Sequence, residues 1–503
     1  MSIAVVFSRA NVGLDAPLVV VETHLSKGLT QFSLVGLPET AVKESKDRVR
    51  SALLQSGFVF PKGRITINLA PADLPKEGGR FDLPIAISIL LASKQLHCPD
   101  MAKYELAAEL ALSGELRPIK GILPLALATK NAQRNLIIAN PNQAEASWVN
   151  DLTVYPFENF LSVCAHLSGK VLQLPLKAST TLEDNTDDGV CMSEICGQHQ
   201  AKRALEVAAA GGHSLLMVGP PGTGKTMLAS RLNTILPPLT QKEALEVASL
   251  YSISRLGFSQ KALAKRPFRQ PHHTASAVSL VGGGRTPMPG EVSLAHHGVL
   301  FLDELPEFNR HVLEVLREPL ESSKVNISRA QGHAVYPAHC QLIAAMNPCP
   351  CGYLSDARHN CHCTPEQVQR YRNKISGPLL DRIDMHIEVP SLDPGRLASF
   401  HPKQEESTPV IRERVIKARE KQYQRQQHTN AKLSTHEIIA HCKLDSQAQQ
   451  MLTSALEKLG ISARAYHRIL KVARTIADLS DSENIQTAHL AQAIQFRKYD
   501  REL

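Results

Sequence analysis

Short apolar runs that stop at a polar turn mark the middle of the chain. Ser214-Leu215-Leu216-Met217-Val218, Val299-Leu300-Phe301-Leu302 and Leu342-Ile343-Ala344-Ala345-Met346 are too short for core helices and lack the alternation of a half-buried strand. Such runs predict strands buried on both faces, as in a parallel sheet covered by helices. Helical periodicity surrounds them: Gln200 to Ala210 before the first run, Met227 to Leu232 after it, then Val410 to Gln426, Leu452 to Leu459 and Tyr466 to Leu479 near the end. The N-terminal stretch has a different texture. Leu18 to His24, Phe32 to Gly36 and Arg64 to Leu69 read as strands, with helical patterns over Glu39 to Gln55 and Leu83 to Ala92. Lys324 to Arg329 and His333 to Tyr336 flank Ala330-Gln331-Gly332 and predict a β-hairpin. The pattern divides the chain into an α+β unit over 1–176, a polar acidic linker over 177–188, an α/β core over 189–395 and a helical lid over 396–503. The core carries an insertion at 266–298, with β-prone Ala275 to Val281, and the hairpin at 324–338.

The turns after the three runs carry chemistry. Gly219-Pro220-Pro221-Gly222-Thr223-Gly224-Lys225-Thr226 is a full G-x-x-x-x-G-K-T phosphate-binding loop between a predicted strand and a helix. Its glycines let the backbone wrap an anion with N–H groups pointing inward. Lys225 is expected to reach the β- and γ-phosphates of ATP, and Thr226 to hold Mg²⁺ through its hydroxyl. The second run ends in Asp303-Glu304. Asp303 suits the Mg²⁺ side, and Glu304 suits the group that orients an attacking water. The third run ends at Asn347, where a polar side chain can reach the γ-phosphate or its water. Functional groups at the C-terminal ends of strands are characteristic of open parallel α/β sheets.

Composition narrows the class. The chain has 503 residues, 43% of them hydrophobic, which is enough for several domains with real cores. No apolar run reaches membrane-spanning length, and no basic-then-apolar leader opens the sequence, so a cytoplasmic protein with no membrane partner is expected. A net charge of +8 permits nucleic acid without demanding it. The helix Val410 to Gln426 carries Arg412, Arg414, Lys417, Arg419, Lys421 and Arg425, which read as a solvated basic face in preference to a DNA contact. His272 and His273, adjacent on an extended segment, should face opposite ways and not share a metal. Four of the ten cysteines form C-x-C-x₉-C-x-C: Cys349, Cys351, Cys361 and Cys363. Paired thiolates predict a closed, structural Zn²⁺ site; a reduced cysteine-rich loop is the alternative.

Two stretches resemble known families. Leu74 to Leu83 and Leu116 to Leu123 resemble the catalytic turns of Lon-type Ser/Lys proteases. The resemblance sets Arg80 at the serine position and Leu123 at the lysine position, so it implies a Lon-like (S5-type) fold without peptidase chemistry. Lys76 and Arg80 are left as contacts for a partner or DNA, or as part of a solvated loop. The P-loop, Asp303-Glu304, the insertion, the hairpin and Gly377-Pro378-Leu379-Leu380-Asp381-Arg382-Ile383-Asp384 together resemble the magnesium-chelatase-like branch of the AAA+ ring ATPases. With the Lon-like unit, the chain is similar to the YifB/ComM family over nearly its whole length. That similarity implies a homohexameric ATPase acting as a helicase and branch-migration motor on single-stranded and branched DNA during natural transformation and recombination. It implies that Ile195, Gly197 and Gln198 lie beside the adenine. It makes Arg382 an arginine finger for the neighbouring subunit's ATP and Arg464 the second sensor in the lid. In such a ring the hairpin would face the channel, with Lys324, Arg329 and His333 on the DNA backbone. A magnesium-chelatase-like ATPase that remodels a protein is the alternative, and the missing dyad disfavours an ATP-dependent protease.

Overall fold

The structure is a computed structural model that describes every residue except 1, 38, 177–189, 261–264, 285, 330, 331, 355, 357, 394, 396–399, 403, 404, 460–462 and 498–503. The expected linker, 177–188, lies outside the described residues, as do Arg285 and the hairpin tip.

The three apolar runs form what their pattern predicts. Leu215–Val218 pairs in parallel with Gln341–Met346 on one side and Met385–Glu388 on the other. Val299–Leu302 pairs in parallel with Gln341–Met346, and the short strand Phe268–Arg269 adds at its outer edge. Every residue of Leu215–Val218, Val299–Leu302 and Gln341–Met346 is buried, which explains why they read as continuous apolar runs. Helices His199–Gly211, Lys225–Ile235 and Thr408–Gln426 share one apolar core with the sheet and with the C-terminal helices Ala463–Leu479 and Thr487–Gln495.

The N-terminal unit is a seven-stranded mixed sheet. Its spatial order is Gln31–Val35, Arg64–Ala70, Leu18–Ser26, Ser2–Arg9, Tyr104–Ala107, Asn135–Ala139 and Val154–Phe157. Helix Asp82–Ala92 is buried at all positions but one, and it lies in the core beneath the sheet. The helical pattern over Glu39 to Gln55 is interrupted at Glu44, giving Thr40–Lys43 and Ser45–Gln55. The unit docks on the ATPase core through helix Ile122–Asn131, which shares an apolar cluster with helix Gln241–Ile253. Hydrogen bonds seal that seam: the Gly121 amide donates to Ser252 O at 3.1 Å, and the Leu123 amide to Ser252 Oγ at 3.4 Å.

Three expectations are corrected here. Lys76 and Arg80 are not on a solvated loop; both side chains are buried. Lys76 is fully buried with its ammonium on Pro71 O, and Arg80 donates to Lys120 O at 3.0 Å. Burial pulls the Arg80 guanidinium down to about 10. The segment Ala275 to Val281 is not extended: Ser276 caps a helical turn, Ala277–Val281, by accepting from the Ser279 amide at 3.2 Å. The cations of Thr408–Gln426 do not form a free basic face. Arg414 pairs with Glu206 and Glu406, Arg419 donates to Ala209 O at 2.7 Å, and Arg425 pairs with Asp478 at 2.9 Å.

One buried carboxylate ties the lid to the sheet. Asp384 precedes the strand Met385–Glu388, accepts from the Ser214 amide at 3.0 Å, and pairs with Arg468 of helix Ala463–Leu479. Burial opposes its charge, but Arg468, His213 and the Ser214 amide outweigh burial and hold the carboxyl well below the usual range. A depressed carboxyl contributes stability above its unfolded pKa of about 3.9 and loses it as pH falls towards the folded value. Asp384→Asn leaves Arg468 without its charge partner and is expected to cost about 3–5 kcal/mol at neutral pH. Thermal unfolding of both proteins should show the gap at pH 7 and its narrowing below about pH 4. A gap that does not change with pH would remove Asp384 from this role.

Candidate active site

The parallel register brings the ends of three strands to one edge. The P-loop leaves Val218, and Gly222 and Gly224 take positive φ with no atom within 4 Å of where a Cβ would stand, so the loop's concave side is open. Gly219 differs: a Cβ there would meet Val389 O at 2.2 Å. Thr223 Oγ1 donates to Pro220 O at 3.0 Å and closes the loop. Lys225 begins helix Lys225–Ile235 and turns back over it. Its ammonium donates to Gly219 O at 2.7 Å, Pro220 O at 2.8 Å and Asn347 Oδ1 at 3.2 Å. Burial pulls that ammonium down to about 8, against the opposing pull of Asp303 and Glu304.

Thr226 Oγ1 donates to Asp303 Oδ2 at 2.7 Å, so the hydroxyl and carboxylate expected to hold Mg²⁺ already face each other. The oxygen chemistry of this pair suits a hard divalent cation. Glu304 sits in the left-handed region, at φ 52 and ψ 47, a strained conformation for a residue with a side chain. Its amide donates to Asp303 Oδ1 at 3.0 Å, and its carboxylate lies 3.3 Å from His273 Nδ1. The expectation for the two histidines fails in its geometry. The segment turns after His272, and the rings of His272 and His273 lie side by side, 4.1 Å between centroids.

The segment expected beside the adenine is pinned to the same edge. Gln198 Nε2 donates to Pro390 O at 2.7 Å, the Gly197 amide to Glu405 at 3.1 Å, and Ile195 is buried. Glu194 pairs at 2.7 Å with Arg231 of the helix that follows the P-loop. Arg382 and Arg464 lie elsewhere. They line a cleft of about 460 Å³ with Arg468 and Lys471, and no P-loop residue borders it. Ser214, Gln341 and Asp384 also line it, so it opens at the N-terminal edge of the sheet. Arg382 donates to Pro378 O at 2.6 Å and pairs with Glu321.

The hairpin strands Lys324–Arg329 and Gly332–Pro337 pair antiparallel and alternate as far as Ser328. Val325, Ile327, Ala334 and Tyr336 are buried, while Lys324, Arg329 and His333 are exposed. The four cysteine sulfurs group as the spacing predicts. Cys349, Cys351 and Cys361 lie 3.3–3.7 Å apart, and Cys363 falls within the same 4.8 Å cluster. Tetrahedral zinc with Zn–S near 2.3 Å needs sulfurs about 3.8 Å apart, so the thiol set fits the ion. Backbone donation, first from Tyr353, pulls the Cys351 thiol down to about 6.

Glu246, His296 and His297 form a second group that the sequence did not suggest. The His339 amide donates to His296 Nδ1 at 3.1 Å, which leaves the proton on Nε2 facing Glu246 at 3.2 Å. A metal-bound histidine needs the opposite tautomer, so this trio is a hydrogen-bonded cluster. His273 was also missed in its pairing with Glu304. The strand before it, Phe268–Arg269, has two residues and leaves no periodic signal.

A P-loop, an acidic strand end and a polar sensor on adjacent parallel strands define a nucleotide-hydrolysing ATPase core. Family comparison agrees along most of the chain. Residues 191–397 match the model for magnesium chelatase subunit ChlI, 21–142 a second model for that subunit, and 405–497 its C-terminal model. Competence protein ComM of Haemophilus influenzae is 52% identical over 99% of this chain and 98% of its own length. Uncharacterized protein YifB of Salmonella typhimurium is 50% identical over 100% of this chain and 98% of its own length. DNA replication licensing factor Mcm2 of Drosophila melanogaster is 24% identical over 60% of this chain and 34% of its own length. The chain belongs to the YifB/ComM family of magnesium-chelatase-like AAA+ ATPases.

Lys225→Ala removes the ammonium expected to face the phosphates, so nucleotide affinity should fall sharply in a binding titration. Glu304→Gln should bind ATP normally and lose at least about a hundredfold in turnover. Unchanged turnover in Glu304→Gln would falsify its assignment.

Proposed function

We propose that this ATPase is a homohexameric ring motor on DNA, driving helicase and branch-migration work on single-stranded and branched DNA during natural transformation and recombination. The reading is supported by its likeness to a competence protein and, more distantly, to a replication licensing factor. The carrying observation is the hairpin. It leaves helix Arg317–Ser322 downstream of Asp303-Glu304 and runs directly into the strand that ends at Asn347. Its base lies at the opposite edge, where Ser323 and His339 line the cleft, so it reaches the nucleotide edge through the strand Gln341–Met346 and the helices that follow Asp303-Glu304, and its exposed side chains include Lys324, Arg329 and His333. These groups suit phosphates and form no base-reading set, so backbone contact without sequence preference is expected. In the ATP site, Lys225, Thr226 and Asp303 hold the phosphates and Mg²⁺, Asn347 reaches the γ-phosphate, and Glu304 orients the water. Mg²⁺ supplies charge neutralisation at the phosphates when bound.

Two further assignments belong to this reading. Arg382, and Arg464 beside it, act across the subunit boundary: their shared cleft at the far edge of the sheet favours a neighbour's nucleotide over their own. The cysteine cluster holds one structural Zn²⁺. The N-terminal unit is a Lon-like fold that docks and does not cut, since Arg80 and Leu123 offer neither nucleophile nor base.

The double variant Lys324→Ala with Arg329→Ala should keep basal ATPase and lose junction migration. Its DNA affinity should also depend less on salt, each lost phosphate contact taking about 0.9 from the slope. Migration at the wild-type rate would transfer the gripping role away from the hairpin, and a failure on any DNA in the wild type would favour a protein client.

An arginine finger supplied in trans is worth roughly 10³–10⁵ in turnover. Inactive Arg382→Ala and inactive Lys225→Ala proteins, mixed, should therefore regain ATPase activity in shared rings. Full activity of Arg382→Ala alone would refute the finger.

A further inference from the structure

The cysteine loop is wound around the sensor residue. Asn347 ends its strand, and fully buried Cys349 follows two positions on. Gly352, next to Cys351, sits at φ +87, and a Cβ there would stand 2.7 Å from Pro221 Cδ of the P-loop and 3.8 Å from Asn347 Cγ. After Cys363 the chain turns into helix Pro365–Arg372, capped by Thr364, whose hydroxyl accepts from the Gln367 amide at 3.3 Å. That helix returns Tyr371 towards the backbone of Asn347, whose amide opposes the rise that burial imposes on the phenol. Asn347 Oδ1 in turn accepts from Lys225. At the adenine end, Arg358 of the same loop donates to Leu392 O at 2.5 Å, and Leu392 Cδ2 lies 3.5 Å from where a Gly197 Cβ would stand.

The backbone amide of Asn347, its side chain and one lip of the P-loop therefore belong to one circuit, closed by the sulfur cluster. A loop of this composition has little apolar surface to fix it. Cysteines 351, 361 and 363 are only half-buried, and Arg358 and His359 are exposed. Cross-linking its two ends through the four sulfurs would hold Gly352 against Pro221 and Tyr371 beside Asn347. We propose that a metal ion held by Cys349, Cys351, Cys361 and Cys363 makes this clip a positioning element of the ATP site, setting Asn347 and the P-loop mouth for the γ-phosphate. The proposal rests on the zinc assignment above and adds a functional consequence to it.

The test uses full-length protein, with zinc per chain measured by elemental analysis beside nucleotide affinity and turnover. Cys361→Ser should lose the ion and about tenfold in turnover. It should also lose about tenfold in affinity for a non-hydrolysable ATP analogue relative to ADP, the loss of one hydrogen bond to a charged group. A merely structural clip would weaken both nucleotides alike and leave that ratio unmoved. Cys361→His, which restores a ligand, should recover zinc, turnover and the ratio together. Gly352→Ala retains all four thiols, so it should keep one zinc per chain; it costs some stability through its positive φ and should weaken both nucleotides by pressing on Pro221. Loss of zinc with turnover and ratio intact overturns the positioning role and leaves the zinc assignment standing. Wild-type protein that takes up no zinc from a zinc-supplemented buffer overturns both. Gly352→Ala with wild-type nucleotide binding overturns the contact on which the circuit depends.

Discussion

Parallel pairing of Leu215–Val218 between Gln341–Met346 and Met385–Glu388 is the constraint on which the rest depends. Parallel strands end together, so their register sets the P-loop, Asp303 and Asn347 at one edge and leaves the opposite edge to the residues that precede the strands. Ser214, Gln341 and Asp384 lie there, and Arg382 and Arg464 share the cleft that they border. The two edges cannot exchange residues without breaking the sheet. A single chain thus has one edge where the P-loop opens and another that presents guanidinium groups.

The N-terminal unit is joined to the ATPase core by short contacts. Its helix Ile122–Asn131 packs on Gln241–Ile253, and Glu77 accepts from Thr286 of the insertion at 3.2 Å. A Cβ at Gly13 would stand 3.2 Å from Ala334 and 3.6 Å from the ring of Tyr336, so the N-terminal turn abuts the base of the hairpin. Tyr336 also donates to Pro287 O at 2.7 Å. The buried face of the hairpin is thereby braced by the insertion and the N-terminal unit together, which leaves its charged face as the part free to meet a ligand.

Much of this was legible because it is local. A P-loop must be contiguous, and fully buried strands advertise themselves as unbroken apolar runs. Asp303, Glu304 and Asn347 could be placed from strand ends alone. What failed to show depends on long-range packing. Ser2–Arg9 and Tyr104–Ala107 pair centrally in the N-terminal sheet, yet the first opens the chain and the second is only four residues long. Ala277–Val281 is rich in residues that favour strands, and a single serine cap turns it into a helix. His273 meets Glu304 only because a two-residue strand sets it beside the acidic edge.

Charge shows the limit of composition most clearly. The chain is basic overall, but much of its arginine is internal wiring. Arg414, Arg419 and Arg425 fix one long helix to its surroundings, Arg80 and Arg266 are buried against carbonyls, and Arg468 holds Asp384. Long guanidinium side chains reach backbone oxygens that no shorter donor could satisfy, so they stabilise the junction between lid and sheet. Cations spent in this way cannot attract a polyanion. The hairpin cations differ because alternation turns Lys324 away from Val325 and Ile327, while Arg329, on the same parity as those two, is exposed at the end of its strand beside the tip. An electrostatic argument for nucleic acid therefore has to start from which cations the fold leaves exposed, and here it leads back to the hairpin and not to the net charge.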